Sequence, residues 1–423
     1  MRFGAALFVL SIGFAHASPP VPAKLTACVL DGIMVTDDGF AITLAGSRRV
    51  DLTRYAGKKI RVTGDLQPGD MLFPTADVEV LGTCSADEKL HMLPTLAHVY
   101  RRQADRATAP AAPTAAPARK APVIDCPDHT CYQIVRVPKA GGAPVVLRTA
   151  QLNGHIFVDA SYVYWSEGDV GAWKMMRQPK RGGAPTSVAA GTLRGDMVRG
   201  PDGFYGVVSG GLAALGDGKR LRMLVPGVGA DVAVDHDNVY FGEYGPENST
   251  TIRSLPLGAG TGRTLAVGQP VSTTLAAANG ELYWANINVP PIGGGQILKV
   301  PIGGGRLRTV VDTQAHLHPW ALAVDARSVY WVEWDGSGYA LSRAPKDGGD
   351  PTLLGIAPAQ PMNRDNRDRI ELDDTHVYWN ARESVARVAK AGGAVEEVVR
   401  LARGDVMSFA IDDTDVYLAV VFF

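Results

Sequence analysis

The chain has 423 residues, 46% of them hydrophobic, and a formal net charge of −1 at pH 7. Its length exceeds one ordinary domain, so two folded units are expected. The near-neutral balance, with a pI of about 6.8, excludes a global field that would hold nucleic acid or an acidic membrane surface.

Met1-Arg2, an apolar run over 3–14 and Ala15-His16-Ala17 read as a secretory signal peptide over residues 1–17. The run is too short to span a bilayer comfortably, and no later stretch is long enough for a transmembrane segment. Leu25-Thr26-Ala27-Cys28 has the look of a lipoprotein box, but a Pro-rich stretch and Lys24 give it the wrong flanks. An exported chain with four cysteines is expected to pair them locally, Cys28 with Cys84 and Cys126 with Cys131. C-x4-C with His129 between does not supply the two short ligand clusters of a zinc site.

Residues 24–85 alternate short apolar runs (Leu25–Leu30, Ile33–Val35, Ala41–Leu44, Lys59–Gly64, Ala76–Leu81) with the turn signals Asp37-Asp38-Gly39 and Pro68-Gly69-Asp70. Five short strands with Gly57-Lys-Lys-Ile-Arg-Val-Thr-Gly64 at the fourth resemble a small OB-like β-barrel. Its aromatics are only Phe40, Tyr55 and Phe73, so a spacer or docking role is expected rather than an oligonucleotide groove. Ser85-Ala-Asp-Glu88 is a capping-box signature, and Leu90, Leu93, Leu96, Val99 and Tyr100 predict a short helical segment over 86–106, broken at Pro94. Residues 107–123 form an Ala/Pro linker with nothing to bury.

Over 131–423 one phrase recurs, most clearly in Ala321–Leu354. An apolar strand meets an Asp turn, then a strand such as Val163-Tyr164-Trp165, Val239-Tyr240-Phe241, Val329-Tyr330-Trp331 or Val377-Tyr378-Trp379. A hairpin with a Gly-rich turn follows, as in 134–147, 176–188, 297–310, 341–354 and 385–398. The turn aspartates, Asp159, Asp202, Asp235, Asp325, Asp373 and Asp412, are expected to accept from turn amides. The glycines are read as hairpin positions needing positive φ, because no helix follows them as a phosphate loop would require. The tyrosine halves and the glycine halves are out of phase. The first hairpin has no tyrosine half before it, and the last tyrosine half, 408–423, has no hairpin after it. The expected fold is therefore all-β: a seven-bladed β-propeller closed by overlap of its N- and C-terminal strands.

The V-D-x-x-x-V-Y-W phrase resembles the YWTD-type blades of low-density-lipoprotein-receptor propellers and related bacterial cell-surface propellers. Here Trp is followed by Ser-Glu, Ala-Asn, Val-Glu or Asn-Ala rather than Thr-Asp, and seven copies stand where that family has six. The resemblance implies a central channel lined by innermost strands, with two sets of loops sharing one face. That face would carry ligand-binding candidates His155, Asp231, His316, His318, Trp320, Trp334, Arg364 and Arg367. Glu167, Glu243, Asn286 and Glu333, in the strand ends and loops after the tyrosines, would supply several oxygens to a channel calcium ion. His316-Leu-His318 alone is half a metal site.

Neither G-x-S-x-G nor H-E-x-x-H occurs, so nucleophilic and zinc-protease chemistry find no motif. The leading expectation is an exported, non-enzymatic monomer without an obligatory cofactor, binding an extracellular or envelope protein, peptide or glycan. The rivals are a channel-centred, calcium-assisted hydrolase or lactonase, and a purely structural envelope scaffold.

Overall fold

A computed structural model of the chain describes residues 21–30, 33–37, 41–44, 50–67, 71–89, 121–126, 131–168, 173–190, 197–208, 211–216, 221–226, 231–245, 249–258, 261–270, 272–289, 294–313, 319, 321–334, 338–358 and 369–422. The signal-peptide stretch 1–17, residues 90–106 of the expected helical segment and most of the Ala/Pro linker lie outside the described residues.

The N-terminal unit has six strands: β1 (Val21–Leu30), β2 (Ile33–Thr36), β3 (Ala41–Leu44), β4 (Lys58–Gln67), β5 (Met71–Pro74) and β6 (Glu79–Thr83). Their order is β1-β2-β3-β5-β4-β6, and β4 also pairs with β1, so the sheet curls back on itself. Strands β3 and β5 form its parallel pair. Period-2 alternation sends Ala27, Val29, Ile60 and Val62 inward onto Met34, Ile42 and Leu72. Cys28 points the other way and meets Val35 and Cys84 in a second small cluster, tied by the Cys28–Cys84 disulfide. The expected strand at 76–81 is displaced to Glu79–Thr83, and β5 was not anticipated. Four residues beside a Pro-Gly turn carry too little alternation to announce a strand. The capping box is formed as read: Glu88 N donates to Ser85 Oγ at 3.1 Å, and Ser85 N donates to Glu88 Oε2 at 2.7 Å.

Beyond the linker come β7 (Val123–Ile124), β8 (Cys131–Pro138) and β9 (Val145–Thr149). The described residues then lay out seven successive antiparallel sheets. Sheets 1 to 5 each take four consecutive strands, within 152–190, 197–226, 232–269, 272–313 and 321–358. Sheet 6 takes the strands of 370–401, and β7 adds a parallel fifth strand at its outer edge. Sheet 7 is completed from both ends of the repeat region, in the order Asp405–Ile411, Asp415–Phe422, β8, β9. Its central register pairs Val420 with Gln133 and Val416 with Val137, the pairing expected from the phase of the repeats.

The packing follows from the Val-Tyr-Trp phrase. Within a strand the tyrosine faces one side of its sheet, and the residues flanking it face the other. Tyr283 packs toward sheet 5 and Trp284 toward sheet 3; Tyr330 packs toward sheet 6 and Trp331 toward sheet 4. The same alternation joins every consecutive pair, and Trp165 with Ile156 of sheet 1 meets Tyr417 and Ala419 of sheet 7. In sheet 2 Gly206 stands where Trp is usual, and Phe204, before the tyrosine, supplies the packing toward sheet 1. Trp165, Trp284, Trp331 and Trp379 are fully buried. Each removes roughly 200 Å² from water, worth about 5 kcal/mol of burial. A ring of radial sheets is the architecture of a β-propeller. The Gly-rich hairpins have the geometry the sequence asked for. Gly348 and Gly349 sit at φ 98° and 145°, and Gly348 N donates to Pro345 O at 3.0 Å.

Candidate functional site

The two faces of the ring differ in kind. One carries the Asp turns and the Gly-rich hairpins, and its chemistry repeats. In Asp159, Asp235, Asp325, Asp373 and Asp412, Oδ1 accepts from the amides two and three residues on. Oδ2 accepts from the tyrosine hydroxyl five residues on, at 2.7 Å from Tyr164, 2.6 Å from Tyr240, 3.0 Å from Tyr330, 2.8 Å from Tyr378 and 3.0 Å from Tyr417. Sheet 2 uses Asp202 with Tyr205 at 2.5 Å, and sheet 4 uses Glu281 with Tyr283 at 2.7 Å. Sheet 4 needs the substitute because Asn279 and Gly280, both at positive φ, make its turn.

Lysines then tie sheets together. Lys139 of sheet 7 meets Asp373 of sheet 6 at 2.8 Å, Lys180 of sheet 1 meets Asp412 of sheet 7 at 2.6 Å, and Lys390 of sheet 6 meets Asp325 of sheet 5 at 3.1 Å. Lys139 also lies 4.7 Å over the Tyr378 ring. Burial and then the Asp373 carboxylate push the Tyr378 hydroxyl up to about 12. Burial alone would raise Asp373, but Lys139, the turn amides and Tyr378 outweigh it and hold the carboxyl well below its usual range. At Asp159, Asp235, Asp325, Asp373 and Asp412 the structural role expected of the turn aspartates is what the geometry shows, and Asp202 serves through the Tyr205 hydroxyl.

The first strands of neighbouring sheets meet around the ring's axis. They enclose an open cavity of about 340 Å³, walled by Val158, Val234, Ala277, Ala410 and Ile411 and by three charged side chains. Val158, Val234 and Ile411 end their strands immediately before Asp turns, so the cavity lies toward the turn face. Arg369 reaches across from sheet 6 to donate to Ile156 O at 3.1 Å, lies 5.1 Å over the Phe157 ring, and pairs with Glu371 at 2.8 Å. Arg199 pairs with Asp159 at 2.9 Å and lies 4.2 Å over the Tyr164 ring. Burial raises the Glu371 carboxyl above its ordinary value, with Arg369 opposing. None of these three channel groups was singled out from sequence. Arg369, immediately before the inner strand Ile370–Leu372, and Glu371 within it, two apart in extended chain and hence on one face, were the available signal.

Of the ligand-binding candidates, His155 is buried at 3% exposure, its ring stacked on Phe157 at 6.1 Å. Asp231 is turned to structure: Oδ1 accepts from Val232 N at 3.1 Å, and Oδ2 from Leu275 N of sheet 4 at 2.8 Å. Trp334 ends the strand Ser328–Trp334, its backbone paired with Tyr339, and its side chain lies outside the described part. His316, His318, Trp320, Arg364 and Arg367 lie outside the described residues.

The calcium set does not assemble. Among the described residues no group of three or more His, Cys, Asp or Glu is placed to hold a metal ion. Glu167 binds Arg148 of sheet 7 in a fork at 2.9 and 3.0 Å and accepts from Trp165 Nε1 at 2.7 Å. Glu243 pairs with Arg253 of its own sheet at 3.0 Å. Asn286 donates to Gln269 Oε1 at 3.1 Å, and Glu333 is buried at 1% exposure in sheet 5. Equivalent positions on different sheets point into different sheet interfaces, which a linear spacing argument does not resolve. Among the described residues these four side chains are thus engaged separately, on four different sheets.

No protein-family model matches the chain, and no curated protein matches it in sequence. Solved structures resemble it at low identity. A nidogen–laminin complex is 13% identical, covering 64% of this chain and 95% of that one, at a TM-score of 0.34. Apo AztD from Citrobacter koseri is 15% identical, covering 64% and 96%, at 0.43. An oligogalacturonate lyase in complex with manganese is 12% identical, covering 69% and 90%, at 0.46. The propeller assignment rests on the chain's own sheets.

Proposed function

We propose that this chain is an exported, non-enzymatic binding protein. Its seven sheets are the blades of one propeller, closed by the first and last strands of the repeat region and preceded by an OB-like barrel on an Ala/Pro tether. The face opposite the Asp turns receives a protein, peptide or glycan. One observation carries this reading: the two faces have different connections. On the turn face 139–144, 180–185, 257–262, 302–307, 346–351 and 390–395 share one length, 217–221 is one residue shorter, and 139–144, 180–185 and 390–395 are tied to neighbouring sheets through Lys139, Lys180 and Lys390. On the other face the links between sheets vary widely, from 150–151 and 270–271 to 191–196, 314–320 and 359–369. Variable loops on a rigid frame are where recognition collects. Trp320, Arg364 and Arg367 fall in the two longest of those links, and two disulfides support an oxidising compartment.

The test uses purified full chain against peptide and glycan arrays, with Trp320→Ala and Trp334→Ala beside the parent. Loss of the retained partners in the variants, at unchanged melting temperature, is the expected result. An identical retained set in parent and variants refutes the loop face as the binding surface.

A further inference from the structure

The channel cavity is a second place for a ligand, on the side away from the variable loops, and it does not depend on the reading of that face. Its charges balance. Two guanidiniums, Arg199 and Arg369, are matched by the carboxylates Asp159 and Glu371 at 2.9 and 2.8 Å. An anion or cation entering would find the fixed charges already matched to one another, and so would gain no free counter-charge for the hydration it gives up. A neutral ligand carries no such penalty.

The polar equipment is also of one kind. Arg369 lies over Phe157 and is anchored on the carbonyl of Ile156, so its N–H donors are fixed before any ligand arrives. Beside it the Glu371 carboxylate offers acceptors. A fixed fork of donors adjacent to a carboxylate satisfies neighbouring hydroxyl groups, each of which accepts from one and donates to the other. Apart from Arg199 the other side chains of the wall are apolar, and about 340 Å³ lies at the small end of the ligand-pocket range, roughly 300–1,000 Å³. We propose that this cavity binds a neutral, hydroxyl-rich molecule the size of a single sugar ring, with adjacent hydroxyls shared between Arg369 and Glu371.

The full chain is titrated with glucose, galactose and N-acetylglucosamine by saturation-transfer NMR, with acetate and tetramethylammonium as charged controls. At least one sugar binds at millimolar affinity or better, and the charged controls do not. Glu371→Gln and Arg369→Met each weaken that binding by roughly tenfold or more, the loss expected for a charge-assisted hydrogen bond. If either variant fails to fold, Ala277→Leu narrows the cavity with the ion pair intact and abolishes binding. Absence of sugar binding, preference for acetate, or binding that survives Ala277→Leu overturns the proposal. Trp320→Ala leaves sugar binding unchanged, so failure of the loop-face reading and failure of this one are told apart.

Discussion

Replacing Asp412 by asparagine tests whether the turn-face ion pairs hold the ring shut at its seam. Asp412 belongs to sheet 7 and Lys180 to sheet 1, so their 2.6 Å contact spans the join between the last sheet and the first. Burial would raise the Asp412 carboxyl, but Lys180 and the amides of Thr414 and Asp415 outweigh it and bring it from 3.8 to about 2. The side chain is only 21% exposed, so solvent screening is modest. A folded value below the unfolded one stabilises the protein above the unfolded pKa, and that stability is lost as pH falls through the folded value. The difference is worth about 2.5 kcal/mol at neutral pH, present above about pH 5 and gone near pH 2. The Asp412→Asn variant leaves Lys180, 13% exposed, without its counter-charge, so the neutral-pH loss is at least that large. In a unit of this size the melting temperature drops by about 5–10 °C. Urea denaturation of parent and variant between pH 7 and pH 2 isolates the contribution of this one carboxylate, because the other aspartates titrate in both. A gap between the two curves that stays constant down to pH 2 refutes the electrostatic account.

The other predictions need simpler measurements. Tyr378→Phe removes the 2.8 Å donor to Asp373 and is expected to cost about 1.5–3 kcal/mol by chemical denaturation. It also weakens the depression of the Asp373 carboxyl, so the acid-unfolding midpoint moves to higher pH. Loss of the Cys28–Cys84 bridge, which closes 56 residues of sequence separation, is expected to cost the N-terminal unit about 4 kcal/mol, and loss of Cys126–Cys131 about 2 kcal/mol by the same loop argument. Paired Cys→Ala variants followed by calorimetry check both. Truncation before Asp415 strips sheet 7 of the strand joining Asp405–Ile411 to β8, and the remainder is expected to lose cooperative unfolding.

The ring was legible because its information is local and repeated. Val-Tyr-Trp sets period-2 packing inside each strand, and the phase between tyrosine halves and glycine hairpins dictated that 408–423 must finish the sheet begun at 131. Substitutions were harder to read. Glu281 replaces the turn aspartate from beyond the turn rather than within it, and Phe204 takes the place of a tryptophan two positions further on. The hairpin lysines find their partners on the preceding sheet, as with Lys139 and Asp373 at a separation of 234 residues, which no local pattern announces. The channel was illegible for the same reason. Its wall draws residues from six sheets, and nothing local marks Arg199, Arg369 and Glu371 as neighbours of one cavity. The four oxygen-bearing residues named for a channel ion stand on four different sheets, and two of them, Glu167 and Glu243, are paired with Arg148 and Arg253, partners that repeat spacing does not announce.

These pairings also constrain where variation can accumulate. A turn aspartate holds two amides, a tyrosine and, on several sheets, a lysine from the next sheet, so one substitution disturbs two sheets at once. The links 191–196, 314–320 and 359–368 have to reach from one sheet to the next, and lengthening such a loop costs little closure entropy. A chain under selection for a new partner would therefore change on that face while the turn face stays fixed. Grafting a different loop at 359–368, which leaves Arg369 in place, should alter what is retained with little change in melting temperature, whereas an insertion of equal length at 390–395 should lower it, because Lys390 would be drawn off Asp325. Equal losses at the two positions would remove the distinction between the faces on which the binding reading rests.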